Sequence, residues 1–425
     1  MLGVDDEEGG VSGIPRAYKS LLGASAAAFT ARGVHHPFAW RPYGGRMAKK
    51  VDQIVDVAIV GAGIVGLGHA LAAVDRGLSV VVIDRGSRQI GSSIRNFGHA
   101  CISVQSGAAQ VHADRSRQLW LRLRDEAGLW LREGGYVVAR ADDELAALGE
   151  FAARRPLQAR VLDAAETAAA SGADPAHVVG GAHLLDDLQV NPREALFQVT
   201  EYLRSRGVEF QFSTAVRTIR EGRLHTTRGR IGADRIVVAV NYDVDQLFPD
   251  LGADYEVRRC GLDMTRVAID GLRAPLAGPV LTGWSMLRYS GFATAPSLAG
   301  VRDRLHASHP GLAALDLNQM YTQLPDGTVI VGDTHYKDDV VTPFQQENAF
   351  DEMLAEAAVF FGVPRGAIRV VERWQGVYAT APQDFLIDEP IEGVHVVSVT
   401  TGIGMTTGLG LADRVMSEIY EPVGA

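Results

Sequence analysis

The stretch VDVAIVGAGIVGLGHALAAVDRGLSVVVIDRG, residues 55–86, constrains this chain more than any other. Val57 to Val60 is a short apolar run, and Gly61, Gly63 and Gly66 follow it with the spacing G-x-G-x-x-G. Leu67 to Arg76 has helical spacing, Leu78 to Ile83 is a second apolar strand, and Asp84 closes it. Strand, glycine turn, helix and strand in that order predict a parallel βαβ unit. Gly61 permits the tight turn, Gly63 lets the backbone approach a pyrophosphate, and Gly66 lets the helix pack closely on the strand. Ala62, Ile64 and Val65 complete the turn and the helix start, where free N–H groups and the positive end of the helix dipole can hold phosphates. Asp84, followed by Arg85, stands 18 positions after Gly66 and can accept hydrogen bonds from an adenosine ribose. It would repel a 2′-phosphate, which favours FAD or NAD over NADP. A lone G-x-G-x-x-G also fits a glycine-rich turn without a ligand. Here the flanking strands, the helix and the acid agree, and the chain is expected to bind a dinucleotide.

With 425 residues, of which 47% are hydrophobic and 22% charged, the chain has room for two domains with sizeable cores. Its net charge of −10 argues against nucleic acid or an anionic membrane as the main partner. One local basic pocket would still suffice for a small anionic substrate. The two cysteines, Cys101 and Cys260, cannot form a disulfide framework and fit a reducing, cytoplasmic compartment. Neither has metal-site spacing, so no metal is expected. No apolar run reaches 18 residues, so no membrane span is expected. Residues 1–46 are rich in Gly and Ala without periodicity and read as a disordered extension. Asp5 to Glu8 stands ahead of the weak apolar run Leu21 to Phe29, where a signal peptide needs positive charge. A chain beginning at Met47 is expected to fold and load its cofactor.

The pattern from 111 to 150 reads as amphipathic helix interrupted at Gly134-Gly135, with a strand over Tyr136 to Arg140. Asn191 and Pro192 open a helix to Arg206, as N-cap and first-turn proline. Val208 to Phe212, Val216 to Ile219 and Arg235 to Val240 read as strands, and Arg223 to Arg230 as a hairpin. Alternation over Arg258 to Ile269 and Thr328 to Val331 predicts antiparallel sheet. Phe350 to Phe361 is helical, and the strand Val394 to Val399 leads through a glycine-rich turn into a last helix ending near Ile419. The fold expected is α/β: a Rossmann-like cofactor domain with a mixed sheet, interleaved with an antiparallel-sheet substrate domain. Residues 52–110, 190–250 and 385–425 would form the first, and 111–189 and 251–384 the second.

Four segments carry a family resemblance. They are the fingerprint at 55–86, GSSIRNFGHA at 91–100, RWQGVYATAPQDFLI at 373–387 and VVSVTTGIGMTTGLGLADRV at 396–415. From about residue 54 onward the chain resembles the D-amino-acid oxidase and glycine oxidase superfamily of FAD enzymes. Within it the chain is most similar to FAD-dependent oxidoreductases associated with phosphonate utilisation, through RNFG, Cys260 to Arg266, LTGWSMLRYSGFA, VGDTHY and RWQGVY. The resemblance implies FAD as cofactor, with the 91–100 segment beside the flavin and its pyrophosphate. Ser92, Ser93, Arg95 and Asn96 supply donors there, although a polar surface loop would look the same. Gly402, Ile403, Gly404, Met405 and Thr406 precede the last helix, whose N-terminus can stabilise negative charge on the reduced flavin ring. Val216 is placed by the resemblance near the adenine, and reads equally as a core valine.

Superfamily oxidases that bind an α-carboxylate commonly carry an Arg where this chain, after Trp374, Gly376 and Val377, has Tyr378. An anionic substrate group therefore needs another cation, and Arg288, His335, Lys337, Arg266 and Arg373 are the candidates. Arg288, His335 and Tyr378 are the expected substrate residues. The resemblance implies oxidation of a C–N bond of a small amine by hydride transfer to the flavin, with oxygen or another acceptor taking the electrons. An aminoalkylphosphonate such as 2-aminoethylphosphonate is the expected substrate. Open beside it are glycine, sarcosine or a D-amino acid, an NAD-dependent dehydrogenase, and a non-catalytic dinucleotide-binding protein. Cys101 reads as an inert core cysteine.

Overall fold

The computed structural model describes residues 53–421. The extension expected over 1–46 lies outside the described residues. Among the described residues, sixteen strands form one sheet: β1 Gln53–Val60, β2 Val80–Ile83, β3 His99–Ala100, β4 Leu131–Ala139, β5 Ala159–Leu162, β6 Gly180–Val190, β7 Glu209–Gln211, β8 Val216–Arg220, β9 Arg223–Thr226, β10 Gly229–Val238, β11 Arg258–Ile269, β12 Val280–Leu281, β13 Met320–Gln323, β14 Val329–Asp338, β15 Ile368–Ile391 and β16 Val394–Thr401. The main order is β3-β6-β4-β12-β13-β14-β11-β15-β16-β10-β1-β2-β7. Around β1 the pairing is parallel: β2 and β10 flank it, β7 lies beyond β2 and β16 beyond β10. Around β11 it is antiparallel, with β14 on one side and β15 on the other. This is the mixed α/β fold expected.

The parallel strands are apolar on both faces, as buried strands must be. Val57 and Ile59 enter a core shared with the helices Ile64–Asp75, Gly107–Ala127, Pro192–Ser205 and Gly404–Tyr420. Ala58 and Val60 face the opposite side, toward Leu224, Ile231 and Val244. Asn191 caps its helix as expected, its Oδ1 accepting from the Arg193 N–H at 3.2 Å. The Arg223–Arg230 hairpin forms between β9 and β10. Among the described residues, no helix is long and apolar enough to cross a membrane.

The structure bears out the strand read over Tyr136 to Arg140 and corrects the helical reading around it. A helix ends at Ala127 with Gly128 in the left-handed conformation, β4 runs through Gly134-Gly135, and a new helix spans Asp142–Arg154. Glycines that look like a helix break are strand residues, where the sheet crowds them: a Cβ on Gly135 would lie 3.1 Å from the Asp187 side chain. The 24-residue β15 likewise outruns its sequence signal. Its first half pairs with β11 and its second with β16, so one strand joins the antiparallel and parallel regions.

Candidate active site

Each residue of the glycine turn is placed by contact. Gly61 has φ +105°, and a Cβ there would lie 2.4 Å from the Ala239 carbonyl oxygen. A Cβ on Gly66 would lie 1.9 Å from the Gly61 carbonyl oxygen. Gly63 is more open, with only Ser93 Oγ at 3.2 Å from such an atom. The N-cap residue of the helix that follows, Gly63, makes no side-chain capping bond. The Ala62 N–H donates to Asp84 Oδ2 at 2.9 Å, and the Gly86 N–H to Asp84 Oδ1 at 2.7 Å. Asp84 thus ties the turn to the end of β2. Burial raises its pKa, against the lowering effect of those two bonds.

A cavity of about 660 Å³ runs from this turn across the sheet. At one end it is lined by Gly61, Gly63, Ile64, Val65, Asp84 and Arg85, with Val216 beside them. Ser92, Ser93, Arg95 and Asn96 line it too, as do Gly402 to Thr406. Arg288, His335 and Tyr378 line the far end. Ala62 and Gly66 are not in the wall; they shape the turn from behind.

Several expected ligand donors are already engaged within the protein. Ser92 Oγ donates to the Val377 carbonyl, Asn96 Nδ2 to the Ser92 carbonyl at 3.1 Å, and Arg95 Nη1 to the Gln375 carbonyl at 3.3 Å. Trp374 Nε1 returns a bond to the Arg95 carbonyl at 3.1 Å. The 91–100 segment is therefore stitched to β15. Ser93 Oγ accepts from the Ile64 N–H at 3.1 Å and keeps its own hydrogen to donate. Arg85 pairs with Asp243 at 2.6 Å.

The last helix meets the cavity with no side-chain cap and no acidic residue in its first turn. Its position is set by the helix Gly107–Ala127. Trp120 Nε1 donates to the Met405 carbonyl at 2.9 Å, and the Gly410 N–H to Ser116 Oγ at 2.8 Å. Thr406 Oγ1 accepts from the Cys101 N–H at 3.0 Å. Gly402, at φ +78°, faces the Tyr378 ring, 2.9 Å from where its Cβ would stand.

Of the five candidate cations, Arg288 and His335 reach the cavity. Arg266 pairs with Asp326 and Glu372, and Arg373 pairs with Glu347, all outside its wall. Lys337 is exposed near the end of β14. Arg288 Nη1 holds Asp316 Oδ1 at 2.8 Å. His335 Nδ1 lies 3.0 Å from the Asp316 carbonyl, which requires the proton on Nδ1 and leaves Nε2 bare. Burial, reinforced by the Arg288 charge, pushes His335 well below the usual imidazole range, so it is neutral at pH 7. Burial pushes the Tyr378 phenol well above its ordinary value, with the Cys260 thiol beside it adding to the effect, so it is a hydrogen-bond donor.

Sequence reading missed three residues here. Asn241, at φ +55°, accepts from the Ala379 N–H at 2.8 Å and donates to the Val399 carbonyl at 3.2 Å, joining β15 to β16 under the cavity. Asp333 lines the far end beside Arg288 and His335. Tyr289 lines it too, its hydroxyl 3.4 Å from Cys101 Sγ. VGDTHY was singled out for its histidine, and a search for cations passes over the carboxylate beside it. Cys101 and His99 also reach the wall, and with Asp187 they form a buried His/Cys/Asp cluster of the kind that can hold a metal ion. A direct His99–Asp187 bond of 2.7 Å accounts for two of its three members.

The family model described as DAO, FAD dependent oxidoreductase, matches residues 56–417. No curated protein sequence matches the chain. Among solved structures, L-proline dehydrogenase from P. horikoshii is similar with a TM-score of 0.71 at 16% identity, over 87% of this chain and 94% of that one. Glycine oxidase from Geobacillus kaustophilus follows with a TM-score of 0.69 at 18% identity, over 88% and 97%. L-alpha-glycerophosphate oxidase from Mycoplasma pneumoniae, with FAD bound, has a TM-score of 0.65 at 15% identity, over 86% and 94%. The residues here fit that cofactor. The open Gly63 and the start of the last helix, whose N-cap makes no side-chain bond, both line the cavity, and such helix starts suit a pyrophosphate.

Proposed function

Because the chain belongs to the DAO family of FAD-dependent oxidoreductases, we propose that it oxidises a C–N bond of a small amine with an anionic head group. The class favoured is an aminoalkylphosphonate, such as 2-aminoethylphosphonate or its N-methyl form. The observation that carries this reading is the far end of the cavity, where Arg288 and Tyr378 stand together. Solved neighbours that act on amines by name, among them a proline dehydrogenase and a glycine oxidase, support amine chemistry on this fold.

FAD, when bound, supplies the two-electron acceptor for the α-hydrogen of the amine. Everything else falls to the chain's own residues. The Arg288 guanidinium attracts the phosphonate, which carries up to two charges and three acceptor oxygens. The protonated Tyr378 hydroxyl donates a hydrogen bond that a carboxylate-binding Arg would replace in an amino-acid oxidase. Neutral His335 is held through Nδ1 and offers Nε2 as an acceptor only. Leu262, Met320 and Val377 give the same space apolar walls that exclude water. The imine product then hydrolyses to a carbonyl compound and an amine, and oxygen or another acceptor takes the electrons.

The test is anaerobic addition of 2-aminoethylphosphonate, its N-methyl form, glycine, sarcosine and D-alanine to the flavin-loaded protein. Bleaching of the flavin absorbance by the phosphonates, and not by the amino acids, is the expected result. Bleaching by an amino acid alone overturns the substrate class. Arg288→Ala should lower kcat/KM for the phosphonate by roughly 10- to 100-fold, the worth of a charged hydrogen bond. For propylamine, which lacks the anionic head, a change of less than about 3-fold is expected. Equal losses for both would mean that Arg288 does not bind the head group.

A further inference from the structure

Asp333 is set into the cavity by an irregularity in the sheet. Along the β11–β14 pair, Asp263 faces Thr334 and Met264 faces Gly332, so Asp333 is the extra residue of a β-bulge. Bulges re-aim one side chain beside functional sites. The backbone of Asp333 is fixed on its other side, where its N–H donates to the Asn318 carbonyl at 2.6 Å and its carbonyl accepts from the Asn318 N–H at 2.8 Å. Its side chain is 6% exposed, and Oδ1 has no hydrogen-bond partner among the described residues. An unpartnered carboxylate oxygen this deeply buried is costly to fold around, and such groups mark sites where a ligand completes the bonding.

The groups around it do not neutralise it. Arg288, which faces it from the segment before Tyr289, is paired with Asp316. His335, two residues along β14, has Nε2 at 3.6 Å from Oδ2, too far for a hydrogen bond and without a proton to give. Tyr378 on β15, Tyr289 and Cys260 on β11 are all pushed above their ordinary values by burial, so they are uncharged at neutral pH. The Asn318 side chain gives the carboxylate one hydrogen bond, which leaves Oδ1 open, and Asp316 adds a second negative charge.

We propose that Asp333 binds the substrate's ammonium group through Oδ1 and takes its proton. Resting on the reading of the site as an amine oxidoreductase, this makes the substrate a zwitterion, with its cation at Asp333 and its anion at Arg288. In the step itself an N–H bond of the ammonium breaks and its electron pair stays on nitrogen. The proton forms an O–H bond at Oδ1, so the ammonium becomes a neutral amine and the carboxylate becomes a carboxylic acid. No electrons are lost or gained. The free lone pair is what allows the neighbouring carbon to give up its hydrogen to an acceptor. Burial, opposed by Arg288, holds the Asp333 carboxyl at about 7, a value suited to a base working near neutrality.

The probe is tert-butylammonium, which has the charge but no α-hydrogen, so its binding does not depend on whether the enzyme oxidises amines. tert-Butanol is the uncharged control, and binding to the flavin-loaded protein is followed by calorimetry between pH 5.5 and 8.5. The affinity for the cation should rise about tenfold per pH unit up to pH ~7 and level off above it, while that for the alcohol stays flat. Asp333→Asn should abolish the rise and weaken cation binding at pH 8 by roughly 10- to 100-fold. Its kcat/KM for 2-aminoethylphosphonate should lose the acidic limb near pH 7 and climb only toward the amine's own pKa. A pH-independent affinity in the wild type, or an unchanged one in Asp333→Asn, overturns the proposal. Should the variant fail to fold, the wild-type titration against the alcohol decides alone. Oxidation of no amine at all, with the cation titration intact, would remove the proposed reaction and leave the cation site standing.

Discussion

Gly66→Ala is expected to give a protein that no longer retains FAD through gel filtration. The added Cβ would stand 1.9 Å from the Gly61 carbonyl oxygen and 3.1 Å from its carbon. Both are backbone atoms of the turn itself, so no side chain can swing away to make room. Gly61 cannot retreat either, since its own Cβ position is closed by the Ala239 carbonyl at 2.4 Å. The turn must open or the helix Ile64–Asp75 must lift from β1. Overpacking of this kind costs about 3 kcal/mol. If FAD must pull the turn back to its native shape, that is a loss of roughly 100-fold in affinity. Gly63→Ala is the comparison, because its Cβ would meet only the Ser93 hydroxyl at 3.2 Å. It should fold normally and disturb only the phosphate side. Equilibrium FAD affinity and Tm of both variants check this; a Gly66→Ala protein that binds FAD like the wild type would show that the turn is not the cofactor's seat.

The second large effect concerns a pair that stabilises the floor of the cavity. His99 Nε2 and Asp187 Oδ2 lie 2.7 Å apart with both side chains fully buried, and Asp187 Oδ1 accepts from the Ser103 N–H at 2.7 Å. Burial alone would lower the His99 pKa, but Cys101 and Asp187 outweigh it and raise it to about 10. Asp187→Ala removes the counter-charge and leaves the Ser103 N–H without an acceptor. Breaking a buried pair from one side costs about 3–5 kcal/mol. The pH dependence has a definite sign. Because the folded-state value is raised above the ordinary 6.5, the pair's contribution is fully present below pH 6.5 and is lost as pH rises through about 10. The stability gap between wild type and Asp187→Ala should therefore be widest at pH 6 and shrink toward pH 10. Urea unfolding at several pH values measures it, and a gap that widens with pH would refute the charged pair.

The flavin side of the site was legible because its signals are local. Glycine spacing, an apolar strand on either side and an acid at the end of β2 all lie within residues 55–86. The geometry then shows why each glycine is required. The substrate side was not legible in the same way. Arg288, Arg266 and Arg373 are equal in sequence, each an arginine near aromatic or apolar neighbours. Only the fold separates them, placing Arg288 in the cavity wall and giving the other two carboxylates elsewhere. The strand over Tyr136 to Arg140 was legible, but its start at Leu131 was hidden: Gly134 answers to a left-handed φ of +84° and Gly135 to crowding by Asp187, and neither requirement shows in a helical pattern.

Asp333 marks the limit most clearly. Its position depends on a one-residue mismatch between β14 and β11, and a mismatch is a property of two strands together. No spacing within VGDTHY records it. The sequence by itself determined the βαβ unit, the cofactor class and the helix that closes the site, since those follow from periodicity and backbone freedom over short stretches. The tertiary structure alone decided which charged groups share the cavity and which of them stay unpaired. Burial and pairing are set by neighbours that lie far apart along the chain.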